Sequence, residues 1–316
     1  MPSYSGIWTL SQQFQAIGQN LWPIILQPET VAIFALGNAG GRVTTRDKYV
    51  YSGCVVSSGG SATVAAYNGS AAGNCAVGIF ALGDVCGVGR AVNRNKYTYA
   101  GCAVAAGGAA TAASSLGAAV GNSTTGIFAL GCTGSPANTR NKYTYSSCVV
   151  ASATAASTAS AYGSAAGNST TGIFALGLNG SYTRVITRDK YTYSGDVVSA
   201  GGAATVASNS GAATGNSTTG IFALGYTSGG SVNTRNKYTY SGDVVSAGGA
   251  ATAASCGGAA AGNSTVGIFA LGYTTAASTT RNKYTYSGCV VAAGGAATSA
   301  SNAGSAASNG TSGVNM

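Results

Sequence analysis

Three observations on the sequence predict an all-β fold, a six-bladed β-propeller. A repeated unit, seen clearly at residues 220–243, occurs six times along the 316 residues. Each copy divides into four short segments with the pattern of β-strands, and the two ends of the array complement each other. A repeat array is one quasi-linear object, so length alone does not divide it into domains.

The repeat keeps one period at two separate landmarks. Successive copies of its isoleucine are 46, 48, 46, 48 and 47 residues apart, and an arginine further along each copy follows the same period. The isoleucines are Ile33, Ile79, Ile127, Ile173, Ile221 and Ile268, and the arginines are Arg46, Arg94, Arg140, Arg188, Arg235 and Arg281.

Each copy contains four strand patterns, which we name a to d. Gly-Ile-Phe-Ala-Leu-Gly is a short apolar run typical of a strand buried on both faces, strand b. Arg-Asx-Lys-Tyr-Thr-Tyr alternates strictly, so that Asx and Tyr share one face of strand c and Arg, Lys and Thr the other. A Ser-Gly-Asp or Ser-Gly-Cys turn leads into Val-Val-Ser-Ala-Gly-Gly, strand d, and the small-residue strand a ends in Gly-Asn-Ser-Thr. Glycine and β-branched residues interrupt every window that is long enough for a helix of three turns.

The ends of the array indicate a closed ring. The first copy begins at Val31 directly with strand b, whereas residues 302–309 supply the small-residue strand that precedes strand b elsewhere. Joining the two ends completes a sixth blade, so residues 31–316 form one propeller. Alanine, glycine and serine suit an innermost strand, since six strands converge on the axis. The alternative is a β-solenoid, whose coils repeat over about 20 to 29 residues.

Residues 1–30 lie outside the repeats and are interpreted as an attachment segment. They carry an aromatic and aliphatic load, including Trp8, Phe14, Leu21 and Trp22, partly at helical spacing. They contain no Lys or Arg, which excludes the basic region of a secretory signal, and no apolar run of transmembrane length. The alternative for this segment is a disordered tail.

Eight cysteines raise the question of disulfides, and their positions argue against them. Cys54, Cys102, Cys148 and Cys289 occupy the turn position that Asp196 and Asp243 hold in the other copies. Equivalent sites in neighbouring repeats are expected to lie too far apart for the Cα separation of about 4.4 to 6.8 Å that a disulfide requires. No pair has the Cys-x2-Cys spacing of a zinc site. The sequence predicts reduced, structural thiols.

The repeat Ala-Ala-Gly-Asn-Ser-Thr-Thr-Gly-Ile-Phe-Ala-Leu-Gly, followed by Thr-Arg-Asn-Lys-Tyr-Thr-Tyr-Ser-Gly-Asp, resembles a kelch-type propeller repeat. It is similar to a branch common in bacteriophage and marine bacterial sequences, because Leu-Gly replaces the usual Gly-Gly doublet and the usual Trp is absent. The opening Ser-Gly-Ile-Trp-Thr-Leu-Ser-Gln-Gln-Phe-Gln-Ala-Ile-Gly resembles the start of some phage virion and tail-fibre proteins. The resemblance implies a virion protein, made in the host cytoplasm and present in multiple copies per particle.

Sequence variation among the copies is confined to one predicted face of the disc. The turns from a to b and from c to d are nearly uniform, whereas the b-to-c connections differ in length and content. We name these six connections the variable loops: 38–45, 84–93, 132–139, 178–187, 226–234 and 273–280. The d-to-a connections leave strand d and return to the axis, and they vary at single positions on the same side. Diverse loops on a rigid scaffold favour a recognition surface.

Charge and aromatic residues favour the same face. Twelve of the 15 basic residues open strand c next to the variable loops, and three more lie within those loops, which predicts a basic face in a chain of net charge +9. For the twelve repeated residues, we expect contact between blades in preference to direct ligand contact, and we expect the strand tyrosines in the core. The predicted ligand-binding residues are Tyr67, Arg90, Tyr162, Tyr182, Arg184, Tyr226 and Tyr273. Tyrosines among Ser, Thr, Gly and Asn give a mixture like that of a paratope.

The residues needed for catalysis are absent or dispersed. The sequence contains no His, so Ser-His-Asp and Cys-His centres are excluded. Six carboxylates form no convincing pair for glycoside hydrolysis, and no glycine-rich turn ends in Gly-Lys-Ser or Gly-Lys-Thr. We expect a non-enzymatic protein without cofactor or metal.

The sequence therefore predicts a phage virion surface protein whose variable face binds a host-surface glycan or another anionic polymer. Residues 1–30 would bind other virion proteins, without membrane insertion. Two alternatives stay open: a purely structural capsid-decoration or tail component, and a bacterial intracellular scaffold. Specific nucleic-acid binding is disfavoured, because the positive charge is spread round a ring instead of forming a stripe.

Overall fold

The computed structural model describes residues 30–310, and these residues form six four-stranded antiparallel sheets. Every sheet has the strand order a, b, c, d, with consecutive strands paired as neighbours. The prediction of a six-bladed β-propeller is confirmed. Trp8, Phe14, Leu21 and Trp22 of the predicted attachment segment lie outside the described residues.

The strands occupy equivalent positions in all six blades. Strand a is Ser70–Gly73, Ala118–Gly121, Ser164–Gly167, Ala212–Gly215, Ala259–Gly262 and Ser305–Ser308. Strand b is Val31–Ala35, Val77–Ala81, Thr125–Ala129, Thr171–Ala175, Thr219–Ala223 and Val266–Ala270. Strand c is Arg46–Val50, Arg94–Thr98, Arg140–Thr144, Arg188–Thr192, Arg235–Thr239 and Arg281–Thr285. Strand d is Val55–Ser58, Ala103–Ala106, Val150–Ala153, Val197–Ala200, Val244–Gly248 and Val290–Ala293.

Shorter elements lie between these strands. Two 3-10 turns, Ala100–Cys102 and Ser241–Asp243, connect strand c to strand d in blades 2 and 5. Short strands in the connections are Ala66–Tyr67, Asp84–Val85, Gly89–Arg90, Ser160–Ala161, Leu178–Asn179, Tyr226–Thr227 and Gly230–Ser231. Within residues 30–310, no helix has the length and apolar character needed to cross a membrane.

Blade 1 is built from both ends of the repeat array. Its strand a, Ser305–Ser308, pairs antiparallel with strand b, Val31–Ala35, with Ile33 opposite Ala307. The backbone N–H of Val31 also donates to Oδ1 of Asn309 at 2.6 Å. These contacts close the ring in the predicted way.

The small-residue strand is the innermost one, as predicted. Each strand a lies against strand a of both neighbouring blades, which makes a closed inner ring. The space that remains on the axis between these strands is a cavity of about 60 Å³, lined largely by Ala and Gly. Larger side chains would not fit where six strands meet.

The hydrophobic core lies between the blades. Six clusters each combine residues of two adjacent blades, and one of them joins Ile268 of blade 6 to Phe34 and Tyr49 of blade 1. Phe34 and Tyr49 meet edge to face, with ring centroids 6.4 Å apart. The first strand tyrosine of every blade is fully buried, which confirms the assignment of these residues to the core.

The uniform face carries the c-to-d turns of all six blades and the a-to-b turns of blades 2 to 6. The a-to-b turn is closed by an asparagine: Oδ1 of Asn168 accepts from the backbone N–H groups of Thr170 and Thr171. Its Nδ2 group donates to the carbonyl of Ser217 in the next blade, at 3.1 Å. All eight cysteines are free thiols, in agreement with the sequence prediction.

Candidate functional site

The variable loops are held to the scaffold at both ends. Each loop opens with a bridge to the d-to-a connection that precedes its blade, and it closes with a bridge to the connection that follows. In blade 5, Tyr226 forms the opening bridge with Asn209, and Val232 forms the closing bridge with Ser255. This second tier of pairing runs round the whole face, so the loops are fixed platforms for their side chains. The sequence prediction of a common variable face did not include this pairing.

The repeated arginines of strand c are buried between blades. Each guanidinium lies over the phenylalanine of the next blade, 4.4 to 4.6 Å from the ring centroid. Each also donates through Nη2 to the Asx side chain of the next strand c, at 2.7 to 3.1 Å. The pairs are Arg46–Asn95, Arg94–Asn141, Arg140–Asp189, Arg188–Asn236, Arg235–Asn282 and Arg281–Asp47.

The sequence predicts a basic face whose charge comes largely from the arginines and lysines of strand c. The closed ring of pairs corrects this for the arginines. The six arginines are about 1 to 2% exposed, so they add little accessible charge to any face. Burial lowers the pKa of Arg46 and Arg188 to about 10, far enough above neutrality that both stay charged. The preference for contact between blades is confirmed for the arginines. Lys190 likewise reaches the next blade, pairing with Asp243 at 3.0 Å.

Positive charge on the variable loops therefore rests on Arg42, Arg90 and Arg184. The structure divides the seven predicted binding residues among three regions of the face. Arg184 and Tyr226 are in contact at blades 4 and 5, and Tyr182 lies two residues before Arg184 in the same loop. Tyr67 and Arg90 lie on the two outer strands of a three-stranded sheet at blades 1 and 2, and Tyr162 and Tyr273 line a pocket on the axis.

The first region, which we call the Arg184 cluster, consists of Tyr182, Arg184, Asn209 and Tyr226. The guanidinium of Arg184 lies 4.8 Å from the ring centroid of Tyr226. Its Nε group donates to Oδ1 of Asn209 at 2.8 Å. The two terminal nitrogens of Arg184 make no hydrogen bond within residues 30–310, so they are available to an anion.

Tyr182 is presented by a rigid turn beside Arg184. Oδ1 of Asn179 accepts from the backbone N–H groups of Ser181 and Thr183, both at 3.0 Å. This turn holds Tyr182 at a φ of +58° with 55% of its surface exposed. Tyr226 is 39% exposed. The accessible ring of Tyr226 therefore packs on a cation whose orientation is fixed, and a second exposed ring, that of Tyr182, lies in the same loop as this cation.

The second region lies across the disc, at blades 1 and 2. The guanidinium of Arg42 lies 4.8 Å from the ring centroid of Tyr67, and it donates to the carbonyl of Val85 at 3.2 Å. Tyr67 and Arg90 flank Asp84 in a three-stranded ladder. A carboxylate beside Arg90 makes this region less favourable to an anion than the Arg184 cluster.

A ring of backbone hydrogen bonds surrounds the axis on the variable face. Six equivalent residues, which we call the axial ring, are Asn68, Leu116, Tyr162, Ser210, Gly257 and Ala303. All have φ between +53° and +61°, and the N–H of each donates to the carbonyl of the previous member at 2.7 to 2.9 Å. The ring closes on itself, since Asn68 donates to Ala303. Its backbone groups are thereby satisfied, and recognition at the axis falls to side chains.

The axial ring forms the floor of a cavity of about 250 Å³ that opens on the variable face. We call this cavity the axial pocket. Tyr162 and Tyr273 line it, and burial raises the pKa of Tyr162. Tyr273 is 44% exposed. No charged side chain is among the lining residues.

Several residues of these regions were not among the predicted binding residues. Arg42 and Asn209 hold the tyrosine and arginine side chains, and Cys256 and Asn302 line the axial pocket. One signal was available, because every member of the axial ring directly precedes a glycine in the repeat. Within residues 30–310, no three His, Cys, Asp or Glu side chains converge as metal ligands.

Comparison with known proteins identifies the fold. The solved structure of YjhT, a kelch-repeat β-propeller, superposes with a TM-score of 0.61 over 78% of this chain and 88% of its own, at 11% sequence identity. This chain has a kelch-like β-propeller fold. No protein-family model matches the chain, and no curated protein matches it.

At this level of identity the likeness to YjhT concerns the architecture alone. The disc of the kelch-like propeller has two faces, one with nearly uniform turns and one with the variable loops. Function must be argued from the side chains on the variable face.

Proposed function

We propose that the protein is a non-enzymatic virion surface protein of a bacteriophage, of the tail-fibre or receptor-binding type. Its variable face binds a host-surface glycan or another anionic polymer. The observation that carries this proposal is the Arg184 cluster, in which Tyr226 and Asn209 hold the Arg184 guanidinium and the same loop exposes Tyr182.

The geometry of Arg184 suits a carboxylate or sulfate group on a polymer. A planar guanidinium binds such groups through two parallel N–H donors, and here the terminal nitrogens are unoccupied while Nε is used by Asn209. Since Tyr226 and Asn209 fix the side chain before the ligand arrives, less conformational entropy is lost on binding. Tyr182 and Tyr226 add apolar surface for the carbohydrate ring.

The strength of attachment would come from repetition. One arginine with two tyrosines is a weak site, but several copies on one particle would bind a repeating polymer simultaneously. Residues 1–30, with their apolar side chains, are the proposed contact with other virion proteins.

The test uses immobilised alginate as a polyuronate, dextran sulfate as a sulfated polymer and dextran as an uncharged control. The full chain should bind at least one acidic polymer in a salt-dependent manner, and the triple variant Tyr182→Ala, Arg184→Ala, Tyr226→Ala should lose that binding. Arg90→Ala removes an equal charge beside Asp84 and serves as the matched control. If the triple variant binds as well as the unsubstituted protein and unfolds at the same temperature, the Arg184 cluster is not the binding site.

One observation favours the structural alternative, a capsid-decoration or tail component. The six outer strands d contain no charged residue and no proline, and their valines Val55, Val197, Val244 and Val290 are 53 to 57% exposed. Sheet edges are usually protected by charge or proline, so unprotected edges favour contact with other protein. Sedimentation of the purified chain tests this alternative. It predicts that copies of the chain associate with one another through these edges and that the chain binds no acidic polymer.

A further inference from the structure

The axial pocket is chemically distinct from the Arg184 cluster. Its lining is uncharged and combines two tyrosine rings with amide, hydroxyl and thiol groups over a floor of backbone. An ionised ligand group enclosed here would lack a counter-charge, which costs free energy. The pocket is therefore suited to an uncharged ligand.

The pocket is asymmetric, because the axial ring carries side chains of unequal size. Leu116 and Tyr162 occupy adjacent positions on one side, whereas Gly257 and Ala303 leave the opposite side open. The lining accordingly extends outward to Cys256, Tyr273 and Asn302 at blades 6 and 1. The cavity therefore extends from the axis toward the ring of Tyr273.

Hydrogen-bonding groups on this lining are available to a ligand. Asn68 uses its Nδ2 group on Asp84, at 3.1 Å, which leaves Oδ1 as an acceptor. Ser210 accepts from Asn209 at 2.9 Å and retains its own O–H as a donor. The side chain of Asn302 and the hydroxyl of Tyr273 make no hydrogen bond to any residue between 30 and 310. The lining thus offers both donors and acceptors beside the ring of Tyr273.

We propose that the axial pocket binds a single uncharged pyranose ring, such as a terminal or branch sugar of the polymer. A pyranose presents an apolar face to an aromatic ring and hydroxyl groups at its edge, which matches Tyr273 and the surrounding amide and hydroxyl groups. A cavity of about 250 Å³ accommodates one sugar ring. This inference rests on the proposed function, and it adds a second, neutral subsite to the acidic-group contact at Arg184.

The chain itself supplies the variant that closes the pocket. A Cβ at Gly257 would meet only the backbone N of Ala303, at 3.7 Å. At the equivalent position of the axial ring in another blade, Leu116 has a φ of +60°, close to the +61° of Gly257. Gly257→Leu therefore fills the pocket with a side chain that the axial ring already accommodates, and Gly257→Ala is the matched control.

The experiment measures saturation transfer by NMR from the full chain to methyl glycosides of glucose, galactose, mannose and N-acetylglucosamine, with methyl glucuronide as the charged comparison. At least one neutral glycoside should bind, and Gly257→Leu should weaken that binding by about tenfold or more, corresponding to about 1.4 kcal/mol. Gly257→Ala and Arg184→Ala should change it little.

The inference is overturned if no neutral glycoside binds, if Gly257→Leu binds as well as the full chain, or if the glucuronide binds equally. Polymer binding on the same preparation separates this inference from the proposed function. Acidic-polymer binding without glycoside binding refutes only the axial subsite. Glycoside binding that Gly257→Leu abolishes, without polymer binding, supports the subsite and refutes the polymer proposal.

Discussion

Removing the carboxylate of Asp47 tests how the ring is held closed. This side chain joins blade 1 to blade 6: it accepts from Arg281 at 2.7 Å, and from the N–H and hydroxyl of Thr298 at 3.1 and 2.6 Å. Both members of the ion pair are fully buried. Asp47→Ala leaves the Arg281 guanidinium without its charged partner, at the contact between blade 6 and blade 1.

The structure provides both a magnitude and a control. Breaking a buried ion pair by removing one partner costs about 3 to 5 kcal/mol, and each kcal/mol lowers the melting temperature of a large domain by about 2 °C. We expect Asp47→Ala to lower the melting temperature by about 6 to 10 °C. Asp47→Asn should lower it by less than about 3 °C, because Asn95 already accepts from Arg46 at 2.9 Å in the same geometry.

Thermal unfolding of the full chain, followed by circular dichroism at neutral pH, makes the comparison. Equal losses for Asp47→Ala and Asp47→Asn would show that the charge, and not the hydrogen-bonded geometry, is required. A loss below about 2 °C for Asp47→Ala would refute the reasoning that these pairs hold adjacent blades together.

Three further outcomes are expected. Gly131→Ala should cost at least about 2 kcal/mol more than Gly40→Ala in denaturant unfolding, because both glycines have positive φ but only a Cβ at Gly131 would lie 2.5 Å from backbone atoms. The stability that the buried tyrosines contribute should be complete below about pH 10 and be lost above it, as monitored by melting temperature against pH. Burial raises the pKa of twelve core tyrosines above their unfolded values, and four arginines whose pKa burial lowers to about 10 oppose this only in part. Cys148→Asp should raise the melting temperature slightly, by about 1 to 2 °C, because Lys96 lies 3.7 Å from this position and would gain the pairing that Asp243 has; a fall would contradict this account.

The sequence predicts the blades well because each strand carries its own local pattern. Strict alternation in strand c separates Arg46 from Asp47 by face, and the structure turns these faces toward opposite neighbours. The closing of blade 1 also follows from the sequence, since residues 302–309 supply the strand that precedes Val31. Periodicity and turn residues are sufficient for this level of structure.

The candidate site is less accessible to sequence reasoning because its contacts cross between blades. Arg184 and Tyr226 are 42 positions apart, and nothing in either loop specifies that they meet. The axial ring depends on backbone groups, and its mark on the sequence is the glycine that follows each member. Its residues Gly257 and Ala303 matter through the space that they leave, and the sequence shows that space only after the ring positions are aligned.

The two bridges that hold every variable loop have a consequence for engineering. Loops of 8, 9 and 10 residues are held between equivalent anchor points in different blades, so the scaffold accepts loops of different length. The six blades therefore offer equivalent positions at which variable loops can be exchanged. Transplanting residues 178–187 into another blade would carry Tyr182 and its supporting turn to a new sector, and a set of such chimaeras would vary the spacing of contacts on an unchanged scaffold.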